Sequence, residues 1–265
     1  MEIGETTATL TTTERSLEVA ELAREREGVT LGDVQDALGM AKSTAYKHLR
    51  TLERRGYLTK EGSQYHVGLR FLNLGEYALS WKDGYRLAGN AVDALADRTG
   101  EEVDFFVESA AKAISVQVSY DASNPFTDEV VDASENLWRV GTLYDMHSMA
   151  GGKAILSGFS DDEIRAIADR HGLRATTDRT ITDVDELLAE VATIRETGLA
   201  VSQEEYAPGL CAVGRRVDNP DGSVFGALAV NVPRYRFDGA RPEVEEALAD
   251  AAEALENALA NAENG

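Results

Sequence analysis

Cysteine and histidine are scarce in this sequence, which limits the chemistry that the chain can carry. Its 265 residues include one cysteine, Cys211, and four histidines, scattered at positions 48, 66, 147 and 171. One cysteine excludes a disulfide within the chain and a site built from several thiolates, and the histidines lack the spacing of metal ligands. We therefore expect neither a metal site nor a cofactor.

Long apolar runs are also absent. No segment approaches the roughly 18 consecutive apolar residues of a membrane helix, although apolar residues make up 43% of the composition and suffice for packed cores. The N-terminal segment MEIGETTATLTTTER has neither a basic start with an apolar run nor a cleavage site. These features predict a soluble, cytoplasmic protein without a membrane partner.

Lysine is rare as well. Six lysines accompany 20 arginines, and 47 acidic residues bring the net charge to −21. A high net charge keeps a protein soluble at high salt, so the composition favours a halophilic source, in particular a halophilic archaeon, over an ordinary acidic protein. The charge is uneven: residues 41–70 hold seven cations and two anions, a local charge of +5, and the remainder carries −26.

Residues 30–56, inside and beside this basic segment, have the pattern of a helix-turn-helix. Thr30 and Asp33 have the spacing of a capping box, which begins a helix by satisfying unpaired amides of its first turn. Apolar residues follow at intervals of three and four as far as Gly39, where the helix is expected to end. After a short turn, a second helix repeats the same apolar spacing.

The outer face of this second helix is polar, basic and aromatic, and such a helix fits the major groove of double-stranded DNA. Residues 57–60 and 65–67 then predict a two-stranded hairpin, the wing. The order helix, turn, helix, wing favours DNA binding over the alternative, an ordinary amphipathic helix with a solvated face. The predicted DNA-binding residues are Lys42, Ser43, Thr44, Tyr46, Lys47, Arg50, Arg54 and Lys60.

The flanking sequence predicts further helices and strands, which suggest an α+β fold. Helices are expected over residues 13–27 and in two segments that end near Gly84 and Gly100. Later helices are expected from about Lys153 and over residues 161–170, 184–196 and 242–259. Strands are expected over residues 103–107, 114–120, 137–144, 211–217 and 224–232, with an acidic loop over residues 121–135.

Seven motifs occur in order along the chain: TERSLEVAELA, AKSTAYKHLRTLERRGYL, YHVGLRFLNLG, MHSMAGGKAIL, TITDVDELLAEVATIRETGLAVSQEE, PGLCAVGRRV and DGSVFGALAVNV. They resemble the IclR family of transcription regulators. The resemblance implies a winged helix-turn-helix domain (residues 1–68), a linker helix (69–84) and a GAF-like effector-binding domain (85–265) with an antiparallel sheet flanked by helices. It also implies a homodimer or homotetramer that binds a pseudo-palindromic operator and controls a catabolic or metabolic operon in response to a ligand.

The same resemblance implies an effector-binding site. Its residues would be Ala150, Gly151, Ser202, Ala212, Ala229 and Asn231, and the backbone amides at a helix start attract a carboxylate. Family members that bind small keto acids tend to have Asp, Cys and two Ser at the last four positions. Because these four differ here, and Cys211 lies one residue before the expected cysteine, we expect a different effector, either an organic acid or a sugar-derived metabolite.

Two other functions fit parts of the sequence. An enzyme would use Cys211 or Ser148 as nucleophile and His147 as base, but no G-x-S-x-G elbow is present and Gly151-Gly152-Lys153 lacks the spacing of a phosphate loop. We therefore expect no catalytic residue, a hydrogen-bonded structural histidine at 147 and a buried thiol at 211. The remaining alternative is a C-terminal half that serves only for oligomerisation.

Overall fold

The computed structural model of the protein describes residues 9–119 and 140–263. The chain divides into two compact units, the first ending at Ala78 and the second beginning at Leu79. This boundary lies inside a helix, α4 (Arg70–Ser80). It also lies within the predicted linker, residues 69–84.

The first unit contains three helices, a hairpin and the beginning of α4. The capping box at Thr30 is confirmed, because its side chain accepts a hydrogen bond from the Asp33 amide while the Asp33 carboxylate accepts one from the Thr30 amide. Gly39 ends that helix with φ +60°, a conformation that glycine adopts without steric cost. The elements are α1 (Thr11–Glu25), α2 (Leu31–Leu38), α3 (Lys42–Arg54), β1 (Leu58–Glu61) and β2 (Gln64–Val67).

An apolar core joins the three helices to the hairpin. Strands β1 and β2 pair antiparallel, and Tyr65 also bridges Val29, which precedes α2. Val19, Leu49 and Leu58 come from three different elements and are almost completely buried. The predicted helix-turn-helix and wing are both present, and the first helix ends at Glu25, two residues earlier than expected.

In the part of the second unit that the structure describes, six strands form an antiparallel sheet in the order β5-β4-β3-β8-β7-β6. Its strands are β3 (Glu102–Ser109), β4 (Lys112–Ser119), β5 (Leu143–Tyr144), β6 (Ala200–Gln203), β7 (Leu210–Asp218) and β8 (Val224–Pro233). Its helices are α5 (Asp83–Thr99), α6 (Ala150–Leu156), α7 (Asp161–His171), α8 (Val184–Thr197) and α9 (Arg234–Glu263), with a 3₁₀ turn at Met146–Ser148.

Helices cover both faces of this sheet, so the α+β expectation is confirmed. Alternate strand residues point to opposite faces, and two apolar clusters result. On one face Phe105 and Leu228 pack with residues of α5 and α9, whereas on the other Phe106 packs with residues of α6, α7 and α8. Within the described residues, every helix is too short or too polar to traverse a bilayer.

Three predicted boundaries in this unit are wrong. Helix α6 begins at Ala150 and not near Lys153, so the two glycines lie inside its first turn. Helix α9 begins at Arg234 and includes Pro242, because the fully buried Phe237 anchors its early turns in the core. In the expected strand over residues 137–144, only Leu143–Tyr144 is a strand and 140–141 form a turn; residues 137–139 and the acidic loop 121–135 lie outside the described residues.

Candidate DNA-binding and effector sites

The predicted DNA-binding side chains of α3 are all exposed and form what we call the recognition face: Lys42, Ser43, Thr44, Tyr46, Lys47, Arg50 and Arg54. The opposite side of α3 is turned inward, with Ala45 and Leu49 completely buried. An inner stripe of this kind sets the rotation of the helix about its axis, so the outer residues are directed to solvent as one group. Lys60, the eighth predicted residue, is exposed on β1.

Polar contacts fix the position of α3, and the cations of the recognition face remain exposed. The buried His48 shares a hydrogen bond of 2.8 Å between its Nδ1 and the Ser16 hydroxyl, which ties α3 to α1. Arg50 forms an ion pair of 2.7 Å with Glu53 one turn away. The Lys60 ammonium lies 5.2 Å from the centre of the Tyr65 ring. Hydroxyls, ammonium groups and guanidiniums on one exposed helix face can contact both base edges and phosphates.

The six predicted effector-binding residues line one cavity, which we call the effector cavity. They come from four elements: α6, β6, β7 and β8. Met149, Tyr206, Leu210 and Cys211 complete its lining, and the sequence did not identify these four as site residues. The structure thus brings together residues that lie as far apart in the chain as Ala150 and Asn231.

Strand register explains this convergence. Ser202 on β6 pairs with Ala212 on β7, Ala212 pairs with Asn231 on β8, and Asn231 pairs with Glu102 on β3. Paired residues of an antiparallel sheet lie side by side and point to the same face. The four side chains therefore form a row across the sheet, which we call the polar row, on the face covered by α6.

An ionic cluster holds the connection from β6 to β7 beside the cavity. Residues 204–209 connect β6 to β7 and include Tyr206. The completely buried Lys153 ammonium donates to the Glu205 carboxylate at 2.8 Å and to the Val201 carbonyl at 2.7 Å, and the Thr180 hydroxyl donates to the Glu205 carbonyl at 2.6 Å. With its wall held in this way, the cavity measures about 10 Å³, room for about one water molecule.

Two acidic residues next to the cavity were not predicted. Asp104 is fully buried and Glu102 half-buried, and both carboxylates accept hydrogen bonds from the Asn231 amide nitrogen, at 2.9 and 3.2 Å. Burial raises the pKa of Asp104 to about 7, and burial together with the neighbouring Asp104 charge raises the pKa of Glu102 to about 8. An acid inside the apolar run VDFFV was the available sequence signal, because a charge in a buried strand needs partners.

The backbone of Gly151 lines the cavity, whereas a side chain at this position would point toward Phe106. A Cβ built on Gly151 would lie 2.5 Å from a carbon of the Phe106 ring. On Gly152 a Cβ would lie 2.3 Å from the Met146 carbonyl oxygen. Both glycines therefore permit α6 to approach the sheet and the preceding turn closely. A larger residue at position 151 would disturb the core as well as the cavity.

The residues considered for catalysis have other partners. Cys211 is completely buried in the cluster beneath α5 and α9, where burial raises the pKa of its thiol. The Ser148 hydroxyl donates to the Asp145 carbonyl, and the Nε2 atom of His147 hydrogen-bonds the Arg174 carbonyl at 3.1 Å. The expected hydrogen bond of His147 is present, and burial lowers its pKa. Among the described residues, no group of three or more His, Cys, Asp or Glu is placed to hold a metal.

Comparison with known proteins adds two family matches. The model of the IclR helix-turn-helix domain matches residues 10–62, and that of the bacterial transcriptional regulator IclR C-terminal matches residues 78–257. Two relatives align with most of the chain. The "Probable HTH-type transcriptional regulator ArcR" of Halobacterium salinarum is 26% identical over 256 residues, 96% of this chain and 95% of its own. The HTH-type transcriptional regulator XynR of Escherichia coli is 25% identical over 250 residues, 93% of this chain and 96% of its own.

Solved structures share the fold. An IclR transcriptional regulator from Alicyclobacillus acidocaldarius superposes with a TM-score of 0.78 at 23% identity, covering 95% of this chain and all of that one. The Thermotoga maritima IclR superposes with a TM-score of 0.72 at 22% identity, covering 95% of this chain and 99% of that one.

Proposed function

Because the chain belongs to the IclR family of transcriptional regulators, we propose that it controls a catabolic operon in response to a small organic acid or sugar-derived acid. It is a DNA-binding regulator with a C-terminal effector-binding domain, and members of the family act as oligomers. Our proposal concerns how this chain reads its operator, where its effector binds, and under which conditions it works in the cytoplasm.

The positions of the predicted DNA-binding residues support two separate roles, base recognition and phosphate binding. Ser43, Thr44, Tyr46 and Lys47 lie toward the N-terminal half of α3, where side chains of a recognition helix reach base edges. Arg50 and Arg54 lie further along the helix, and Lys60 lies on the wing. We assign these three to phosphates, which position the protein without reading sequence.

The operator should reflect the symmetry of the oligomer. Two winged domains related by a two-fold axis require a pseudo-palindrome with half-sites on one side of the duplex, spaced by about 10 bp or a multiple. Footprinting on the operator and light scattering on the free protein test this. A footprint on one asymmetric half-site, or a monomer in solution, would contradict it.

The convergence of six residues on one cavity carries the effector proposal. The first turn of α6 lies at one side, and small or polar side chains of the late strands lie at the other. Helix α6 has only seven residues, so its dipole contributes little and binding depends on the cavity as a whole. Because the closed cavity has room for about one water, the effector enters only when part of the wall moves. In the connection from β6 to β7, Pro208 and Gly209 are exposed and precede the lining residue Leu210, so we expect the opening there.

The effector changes operator affinity only through unequal binding to the two states of the oligomer, typically by about 1 to 3 kcal/mol. Ala212→Leu tests the site more cleanly than a change at Gly151, because Ala212 faces the cavity and its neighbours in the polar row are small or polar. The matched control is Ala189→Leu, the same substitution at an exposed position of α8.

We expect a panel of organic acids to include at least one that raises the melting midpoint and shifts operator affinity. Ala212→Leu should abolish both effects while operator binding persists, and Ala189→Leu should preserve both. If an acid acts equally on Ala212→Leu and the wild type, the cavity is not the effector site. If no acid raises the midpoint, the C-terminal half serves for oligomerisation only, since a ligand of the folded state must stabilise it.

The charge distribution supports function at high salt. DNA affinity falls steeply as salt rises when it depends on many phosphate contacts, and the strong negative charge outside residues 41–70 adds repulsion. We propose a halophilic cytoplasm, where base contacts contribute more of the specific affinity. Operator titrations across KCl concentrations test this: specific binding should persist at molar KCl, and its loss there would contradict the proposal.

A further inference from the structure

The amide of Asn231 is held in one orientation by the acids beside it. Its nitrogen donates to Asp104 at 2.9 Å and to Glu102 at 3.2 Å. If the amide were rotated by half a turn, its oxygen would face both carboxyl groups, and acceptor atoms in a buried site repel one another. The nitrogen is therefore fixed toward the acids.

The charge that fixes this orientation resides mainly on Asp104. Its second oxygen accepts a hydrogen bond of 2.8 Å from the Ser115 hydroxyl, so both of its oxygens act as acceptors. Such bonds favour the ionised form. Burial, and after it the neighbouring Asp104 charge, raise the pKa of Glu102.

In this orientation the amide oxygen of Asn231 is available as an acceptor to a molecule in the effector cavity, which Asn231 lines. Among the residues that the structure describes, none donates a hydrogen bond to this oxygen, and none hydrogen-bonds the Ser202 hydroxyl, which is 3% exposed and lines the same cavity. Ser202 and Asn231 flank Ala212 in the polar row. The row thus offers the cavity one fixed acceptor and one hydroxyl free to rotate.

We infer that the effector presents a hydroxyl or ammonium group to the Asn231 amide oxygen, so that it is a hydroxy acid, a sugar acid or an amino acid and not the corresponding oxo acid. The inference rests on the proposed effector cavity and specifies which acids fit it. An oxo group has only acceptor lone pairs and would face another acceptor, whereas a hydroxyl or ammonium donates. Sites built to pair with a donor reject analogues that lack it.

Probes that differ at a single group test this directly. Lactate, alanine and pyruvate share a three-carbon acid skeleton and carry a hydroxyl, an ammonium or an oxo group at the second carbon. Gluconate and 2-ketogluconate form a larger pair. Calorimetric titration of the full-length protein should show a donor-bearing acid binding at least about tenfold more tightly than its oxo partner, the discrimination typical of one unpaired buried polar group.

Asp104→Asn removes the charge that fixes the amide and keeps the side-chain shape. We measure this variant with whichever of the two sets of acids binds the wild type more tightly. Its preference for the donor-bearing acid over the oxo acid should fall below about threefold, mainly because the oxo acid gains affinity when the amide can rotate. Asn231→Ala removes the acceptor itself and should lose the same preference, which keeps the test valid if Asp104→Asn folds poorly. Glu108→Gln, at the far end of β3, is the matched control and should keep the wild-type ratio.

The outcomes separate this inference from the cavity proposal. Equal affinities for donor-bearing and oxo acids, with binding lost in Ala212→Leu, would overturn the inference and leave the cavity in place. An unchanged ratio in both Asp104→Asn and Asn231→Ala would also overturn it. Normal binding to Ala212→Leu would reject the cavity, and no binding of any probe would reject both.

Discussion

The two proposed sites of this protein differ in how the fold assembles them. The recognition face lies on one exposed helix, and its residues are neighbours in the sequence. The effector cavity is assembled from α6 and three strands by register, and its polar groups are buried. Because burial makes an unpaired charge costly, removing one charge of an ion pair should destabilise the fold much more near the cavity than on the recognition face.

Ion pairs offer the sharpest test of this contrast. In the second unit, Lys153 is completely buried and neutralises Glu205, whose pKa burial raises and the Lys153 charge lowers. Lys153→Met should destabilise this unit by about 3 to 5 kcal/mol, because it leaves a buried carboxylate without its partner. In the first unit, Arg50→Ala breaks only an exposed pair with Glu53 and should not change stability measurably. Hydrogen exchange read by mass spectrometry measures the two units separately.

The double variant Lys153→Met, Glu205→Gln is the control for that experiment. It removes both charges, so it should recover most of the lost stability. If Lys153→Met were no more damaging than Arg50→Ala, burial would not distinguish the two units and the comparison would fail.

The same contrast explains which features could be predicted from sequence. Thr30, Asp33 and Gly39 act through neighbours within one helix, so spacing alone predicts α2 and its two ends. The orientation of α3 follows equally from the spacing of Ala45 and Leu49. Local patterns therefore sufficed for the recognition face.

Long-range packing decided what sequence reasoning missed. Glycines usually mark helix ends, but Gly151 and Gly152 lie within α6, because without side chains they fit against Phe106 and Met146. Proline usually opens a helix, yet Pro242 lies inside α9. The Asp104 contact with Asn231 joins residues 127 positions apart and depends on strand register, which no local spacing reveals.

A rise in pH should change the stability of the two units in opposite directions. Asp104 and Glu102 have raised pKa values, so the folded protein keeps a proton that the unfolded chain has lost between about pH 4 and 8. The free energy of unfolding of the second unit must therefore fall as pH rises through that range, by roughly 1.4 kcal/mol for each pH unit over which one proton is retained. In the first unit, hydrogen bonds from Thr30 lower the pKa of Asp33, so its contribution is present above about pH 4 and lost on acidification.

Hydrogen exchange across pH resolves both slopes. Asp104→Asn should flatten the decline of the second unit without altering the response of the first. A second unit that gains stability between pH 5 and 8 would show that the acid pair is ionised throughout and contradict the raised pKa values.

Substitutions on the recognition face should change affinity and not folding. Lys47→Ala should cost about 1 to 3 kcal/mol of operator binding and relax the preference at one base pair, whereas Arg54→Ala should weaken all operator variants similarly. Arg24→Ala, an exposed arginine on α1, is the control for loss of charge. Gel shifts on single-base variants separate these effects, and unchanged binding after joint Lys47→Ala and Arg50→Ala substitution would reject the assignment of α3.

The smallest expected effect tests how far the recognition face depends on the rest of its unit. Ser16→Ala removes the 2.8 Å hydrogen bond between α1 and the buried His48 of α3 and should cost the first unit about 1 kcal/mol. If the recognition face depends on α3 alone, operator affinity should fall only in proportion to the protein that Ser16→Ala unfolds, and the ranking of single-base variants should stay the same. A changed ranking in Ser16→Ala would mean that α1 sets the angle at which α3 meets DNA. Base recognition would then depend on tertiary packing, as the effector cavity does, and the distinction between a locally specified site and an assembled one would fail.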